Sequence, residues 1–297
     1  MLLAVNYSRP LAELARQGRL RFDCFKCPAW EDTIAEAQEV LPVYVHFPFN
    51  AGRGTGTPVN REQNVPADWE MAARLLERTQ TRHINIHLIL PQTDYPEIPP
   101  QSLERAVVED VVRRMVTDVA GAVAQWGAER VIVELGYAEA GHVRAAILPE
   151  IARRVTEETG CGFLLDVSHA RLASLTLGMQ PQEYIRQLPL HCLREMHITG
   201  THRLEGELAA RLEASPSGRE MLRHFGGRWM DHMPLQEHDW QLFGWCMEQV
   251  HAGKWAMPDI VAFEYGGIRG FWEEFLEPNV LLEQIPRLLQ LVRDHRG

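Results

Sequence analysis

The sequence predicts an α/β chain folded as a single (β/α)8 TIM barrel across residues 1–297, with a metal site at the C-terminal mouth of the barrel. Three observations carry that prediction. Segments rich in Val, Ile, Leu and aromatics recur near 2–6, 20–26, 43–47, 84–90, 130–135, 161–166, 193–198 and 259–265, separated by stretches with helical periodicity. Strand and helix alternating eight times is the pattern of parallel strands joined by right-handed crossovers. Six of the strands then end in a residue able to bind a metal: His46, His87, Glu134, Asp166, His197 and Glu264. In a barrel every C-terminal strand end faces one mouth, whereas an open doubly wound sheet offers a crevice only at its switch point. Six contributors to one site therefore favour the barrel.

The helical pattern is clearest in SLERAVVEDVVRRMVTDVAGAVAQWG, where Leu103, Val107, Val111, Met115 and Val119 repeat every four residues. Weaker patterns run near 9–17, 29–40, 66–80, 144–158, 181–187, 236–252 and 279–294. Two connections exceed the usual length, FPFNAGRGTGTPVNREQNVP after the third strand and much of 199–235 after the seventh, and long loops at a barrel mouth carry substrate contacts or act as lids. Gly52, Gly54 and Gly56 alternate beside Arg53 and could turn N–H groups toward an anion, but they form no nucleotide-binding fingerprint and read as a flexible loop.

A net charge of -10 and a pI near 5.7 argue against tight binding to long nucleic acid or to an anionic membrane. No apolar run approaches the ~20 residues of a membrane helix, and the start MLLAVNYSRP lacks the regions of a signal peptide, so a cytoplasmic location is expected. Five cysteines, Cys24, Cys27, Cys161, Cys192 and Cys246, suit reduced thiols. Cys24 and Cys27 form a C-x-x-C that has no companion pair for a zinc ribbon and reads as two small apolar residues.

An ionisable group at the mouth of a buried strand must be paired, hydrogen-bonded or metal-bound. Taken singly, each candidate has an ordinary explanation: a satisfied histidine, a helix cap, or at Asp166 and His169 an Asx turn where the strand becomes a loop. That explanation is applied to His83, His142, His191, His224, His251 and His295. Six coincident strand ends, with His169 and the loop pair Asp231 and His232, point instead to one site. Imidazoles and carboxylates without thiolate suit zinc, manganese or iron, and nine ligands exceed the capacity of one ion, implying two or three.

The order His, His, Glu, Asp-x-x-His, His, Asp/His, Glu along the strands resembles the xylose isomerase-like TIM barrels, most closely those built like endonuclease IV, whose trinuclear site uses ligands in this order. Within that superfamily LLDVSHARLASLTLGMQPQEYIRQLPLHCLREMHITG resembles the multinuclear non-haem iron-dependent oxidative enzymes, with their Asp motif, leucine-proline segment and E-x-H-x-x-G strand. The resemblance implies metal-ligand roles for His46, His87, Glu134, Asp166, His169, His197, Asp231, His232 and Glu264, with Glu134, Asp166, His197 and Glu264 at the reacting centre. It implies two or three ions, iron before zinc or manganese, and oxidation of a peptide residue such as cysteine, with a partner protein presenting the substrate. The alternative on the same scaffold is a zinc- or manganese-dependent endonuclease IV-like phosphodiesterase or a sugar (phosphate) isomerase or epimerase, and the substrate is expected to be a small peptide or a small molecule. One departure stands out: the family pattern is Asp-x-His, whereas Asp231 and His232 are adjacent. Neighbours in extended backbone point to opposite sides, so one of the two is expected to leave the site, with His238 as a substitute.

Overall fold

The computed structural model describes residues 1–137 and 141–293, so His295 lies outside the described residues. The strands are β1 (Leu2–Asn6), β2 (Cys24–Pro28), β3 (Val43–His46), β4 (Phe49–Ala51), β5 (Val59–Asn60), β6 (Val65–Pro66), β7 (Ile84–Leu88), β8 (Val131–Leu135), β9 (Gly162–Asp166), β10 (Leu193–Ile198), β11 (Gly200–Arg203), β12 (Trp229–Met233) and β13 (Ile260–Phe263). The helices are α1 (Arg9–Arg16), α2 (Glu31–Gln38), α3 (Trp69–Arg78), α4 (Arg105–Trp126), α5 (Pro149–Thr159), α6 (Val167–Leu177), α7 (Pro181–Ile185), α8 (Gly206–Leu212), α9 (Pro216–Phe225), α10 (Glu237–His251), α11 (Gly270–Glu274) and α12 (Pro278–Arg293).

Parallel pairing runs β3-β2-β1-β13-β10-β9-β8-β7-β4. The two ends of that row, β3 and β4, are halves of one chain segment, Val43–Ala51, so the sheet closes on itself as an eight-stranded barrel. The break falls at Phe47 and Pro48, because proline has no N–H to give the ladder. Asn85 repairs it: its Oδ1 accepts from Phe47 N at 2.6 Å and its Nδ2 donates to Phe47 O at 3.0 Å. Strands β7, β8 and β9 are buried on both faces, which explains their near-continuous apolar sequences.

Helix starts follow ordinary capping chemistry. Ser8 accepts from Leu11 N at α1 and Asp68 accepts from Met71 N at α3, while Gln236 and Asp239 form a reciprocal capping box at α10. The long α4 begins at Arg105 rather than before it, and Leu103, the first residue of the apolar repeat, is exposed.

Both long connections are more ordered than their composition suggests. The first contains the β5–β6 hairpin, which adds antiparallel to β4. In it, the backbone N–H groups of Gly52 and Gly54 bond one oxygen of Asp118 and those of Thr55 and Gly56 bond the other, all at 2.8–2.9 Å. The glycine-rich cradle thus does receive an anion, and it is the fully buried carboxylate of α4. The second connection folds as β11, α8, α9 and β12 around its own small core of Leu204, Leu212, Met230, Met233 and Phe271. Among the described residues no helix is long and apolar enough to cross a membrane.

Candidate metal centre

The strand-end residues come together at one mouth. His87 pairs with Glu134 across β7 and β8, and His197 with Asp166 across β10 and β9. His46 ends β3, and Glu264 directly follows β13, its N–H bonded to Ile198 O at 2.9 Å.

Two groups of ligand atoms share one carboxylate. In the first, His46 Nε2 and His87 Nε2 face each other at 3.1 Å, and Glu134 Oε2 lies 3.4 and 3.3 Å from them. His87 Nδ1 is 3.0 Å from Phe49 O and donates to it, which leaves Nε2 as a lone pair. Glu134 Oε2 is buried with no hydrogen bond. His46 Nε2 also lies 3.1 Å from Asn85 Nδ2. Two ring nitrogens and a carboxylate oxygen this close together suit a shared cation, since ligands ~2.1 Å from a tetrahedral ion stand about 3.4 Å apart. The second group is Glu134, Asp166 and His197, whose ligand atoms all lie within 4.8 Å of one another. Asp166 caps α6, its Oδ1 accepting from Ser168 N and His169 N at 2.8 Å, while its Oδ2 is buried without a hydrogen bond. The strand therefore runs straight into a helix instead of a loop, and the Asx-like cap uses only one carboxylate oxygen. His197 Nδ1 lies 3.1 Å from Glu264 Oε1. Buried donors left over in this arrangement fit a divalent ion at each group.

His169, Asp231 and His232 form a flank. His169 Nε2 is 3.1 Å from Asp231 Oδ2, and its Nδ1 is 3.1 Å from Glu134 Oε1. Asp231 and His232 both line the mouth, contrary to the expectation that one would leave it. The reason is backbone: His232 has φ +57°, the left-handed region, so the two side chains are not thrown to opposite sides. His232 Nδ1 is 2.8 Å from Glu264 O. The substitute, His238, is outside the cavity, bonded to Thr201 Oγ1 at 3.0 Å with its ring against Trp229.

Burial would neutralise these groups one by one; their mutual contacts decide otherwise. Burial, with Lys26 next, holds His46 well below the ordinary imidazole range, and burial with Arg61 lowers His87 to about 3. Burial opposes ionisation of Glu134, yet His87, His169 and His197 bring it down to about 2. Asp166 is raised to about 6 by burial, with the like charges of Glu264 and Glu134 adding to it. Burial also opposes the charged form of His169 and His197, but Asp166, Asp231 and Glu134 raise the first well above its usual value and Glu264 and Glu195 raise the second to about 10. Protons on these two imidazoles thus balance the carboxylates. A metal ion must expel them, so uptake at pH 7 is expected to release about one to two protons per chain and to weaken as pH falls. Calorimetry in buffers of different ionisation enthalpy measures that release; binding without it contradicts the assignment.

Several residues that sequence reasoning missed complete the site. Lys26 of β2 is ion-paired with Glu264. Tyr44 Oη lies 3.2 Å from His197 Nε2, and Glu195 stands between His197 and His83, the latter at 3.1 Å. His83 is thus a satisfied core histidine, as expected. Tyr137 Oη donates to Asp231 Oδ1 at 3.3 Å, and Arg61, on the β5–β6 turn, overlooks His87. His142, set aside on sequence, also lines the mouth. Of these, only Lys26, a lysine inside the apolar run CFKCP, leaves a trace in the sequence, and that trace alone does not separate a buried lysine from a surface one. In the motif E-x-H-x-x-G, the glycine is Gly200, where any Cβ would collide with the carbonyl of Pro234. Cys24 and Cys27 are buried free thiols in separate core clusters.

The mouth opens into a cavity of about 280 Å³ above the ligand groups, which shares Lys26, His46, Arg61, His232 and Trp272 as lining with a neighbouring one of about 180 Å³ along Tyr7, Pro28 and Trp30.

Residues 70–214 match the sequence model of the RiPP precursor modification enzymes MbnB/TglH/ChrH. A UPF0276 protein of Caulobacter vibrioides is 40% identical over 42 residues, a stretch that covers 14% of this chain and 15% of that protein's length. Among solved structures, a D-psicose 3-epimerase superposes with TM-score 0.52 at 12% identity, covering 99% of this chain and 98% of the other. The 3-keto-D-glucoside 4-epimerase of E. coli gives 0.50 at 18% identity, covering 98% and 99%. Those likenesses establish the fold. The chain folds as a TIM barrel and resembles, over residues 70–214, the RiPP precursor modification enzymes MbnB/TglH/ChrH.

Proposed function

We propose that this protein is a metal-dependent enzyme that oxidatively modifies a residue of a small peptide, cysteine above all, using dioxygen as the electron acceptor. The observation that carries the reading is the conjunction of two buried ligand groups sharing Glu134 with a match to peptide-modifying enzymes over the segment that supplies most of those ligands. The ligands are His46, His87 and Glu134 at one position and Glu134, Asp166, His197 and Glu264 at the next, with His169, Asp231 and His232 available to a third. Iron held by these residues would supply one-electron redox changes that zinc cannot.

The chain's own residues do the rest. Glu134 places the two positions side by side. Asp166, anchored by its helix cap, presents a single oxygen. Tyr44 and Glu195 orient the His197 ring from behind. The two adjoining cavities offer room for a peptide, and the guanidinium of Arg61, which has no carboxylate partner among the described residues, stands beside the centre to meet an acidic group of the substrate. The acidic surface disfavours long nucleic acid. The five free thiols support a reducing, cytoplasmic setting, where a partner protein would present the peptide.

The test is metal replacement. Ferrous protein should consume dioxygen only when given its peptide, losing the peptide's electrons to oxygen in measured stoichiometry, and zinc-loaded protein should be inert because zinc has no accessible redox change. Turnover of a phosphodiester or sugar phosphate by the zinc form, without oxygen uptake by the iron form, would overturn the reading.

A further inference from the structure

Among the described residues Lys26 is the one lysine or arginine that is buried. It projects from β2, in register with Asn6 on one side and Tyr44 on the other. Its Nζ makes an ion pair with Glu264 Oε1. That same oxygen lies 3.1 Å from His197 Nδ1, so the ammonium holds the carboxylate at the place where Glu264 and His197 would together meet an ion. The other group is different: among the described residues, no ammonium or guanidinium lies within salt-bridge reach of the facing atoms of His46, His87 and Glu134.

We propose that Lys26 is a built-in cation that competes for the second metal position, so that ions load in order. The first enters among His46, His87 and Glu134. The second must displace the ammonium from Glu264 before it can settle among Glu134, Asp166, His197 and Glu264. The displaced side chain has somewhere to go, since Lys26 lines both cavities and can swing toward their junction without leaving polar surroundings. A buried carboxylate needs a cation in either state, and the lysine supplies one before the metal does. The inference rests on the ligand assignment proposed above, and it makes the second ion the more weakly held and exchangeable of the pair.

The full chain, stripped with a chelator, is titrated with zinc alone against a chromophoric competitor, comparing wild type, Lys26→Met and Lys26→Arg. Wild type should bind two equivalents, the second more weakly. Lys26→Met should tighten the second by about tenfold or more and leave the first within about twofold, while Lys26→Arg keeps the gap. Melting gives a second readout: without metal Lys26→Met should melt lower than wild type, and with zinc it should gain more. If Lys26→Met does not fold, Lys26→Gln, which can still hydrogen-bond Glu264, carries the same comparison. Two bound ions with the second unchanged or weakened in the neutral variants would overturn the role of Lys26 alone. No binding in wild type or any variant would overturn the ligand assignment, and this inference with it.

Discussion

Glu134→Gln should strip the protein of both metal positions while leaving it folded. Its carboxylate is the one group common to the two ligand clusters, contacting His46 and His87 on one side and belonging with Asp166 and His197 on the other. Loss of an outer-sphere partner typically costs 10- to 100-fold in metal affinity, so loss of a shared direct ligand should cost at least about 100-fold at each position. Metal per chain, by elemental analysis after gel filtration, should fall from two toward zero. His46→Ala should remove only the first ion. The asymmetry between the two variants is the informative result, and equal losses would argue that the clusters are not joined through Glu134. Folding should survive because His169, the imidazole that faces Glu134, keeps Asp231 and Asp166 as carboxylate partners.

Asp118→Ala should be the most destabilising substitution outside the centre. Four backbone N–H groups, from Gly52, Gly54, Thr55 and Gly56, end on its carboxylate, and the side chain is fully buried. Removing it leaves those donors without a partner, a cost of about 3–5 kcal/mol after local relaxation. A fall in melting temperature of roughly 6–15 °C is expected. Because the cradle anchors the segment that leads to the β5–β6 hairpin and Arg61, loosening it should also raise the peptide concentration needed for half-maximal rate. Asp118→Asn should recover only part of the loss, since its amide nitrogen would face donors. A melting temperature within a degree or two of wild type would show that water satisfies the loop as well as the carboxylate does.

These two residues also show what a sequence can and cannot reveal. Glu134 was legible because VIVEL puts a carboxylate at the end of an apolar strand, where physical chemistry demands a partner, and the same logic found His46, His87, Asp166, His197 and Glu264. Periodicity located the barrel strands, β1 and β10 to the residue, but set the second at 20–26 where β2 spans Cys24–Pro28. Asp118 was not legible: it sits on α4 in a run of alternating charged and apolar residues, and its partners are backbone groups more than sixty residues away, which no side-chain pattern encodes. The glycines hinted at an anion without saying whose. His232 was misjudged for a related reason, since the rule for extended neighbours fails once one of them takes a left-handed φ, and nothing in WMDHMP announces that. Lys26 escaped because a lysine in a strand reads as an edge or surface residue until the opposing Glu264 is seen. The ordered elements in 199–235 escaped because their apolar residues pack on each other and on Phe271, outside the barrel's repeating unit.

The measurement that bears most directly on the paired centre is anomalous diffraction from crystals of the protein loaded with ferrous iron under anaerobic conditions. Two iron peaks should appear, one against His46, His87 and Glu134 and the other against Glu134, Asp166, His197 and Glu264, with Glu134 reaching both. A single peak away from Glu134, or no iron at the strand ends in crystals that otherwise preserve the barrel, would contradict the account.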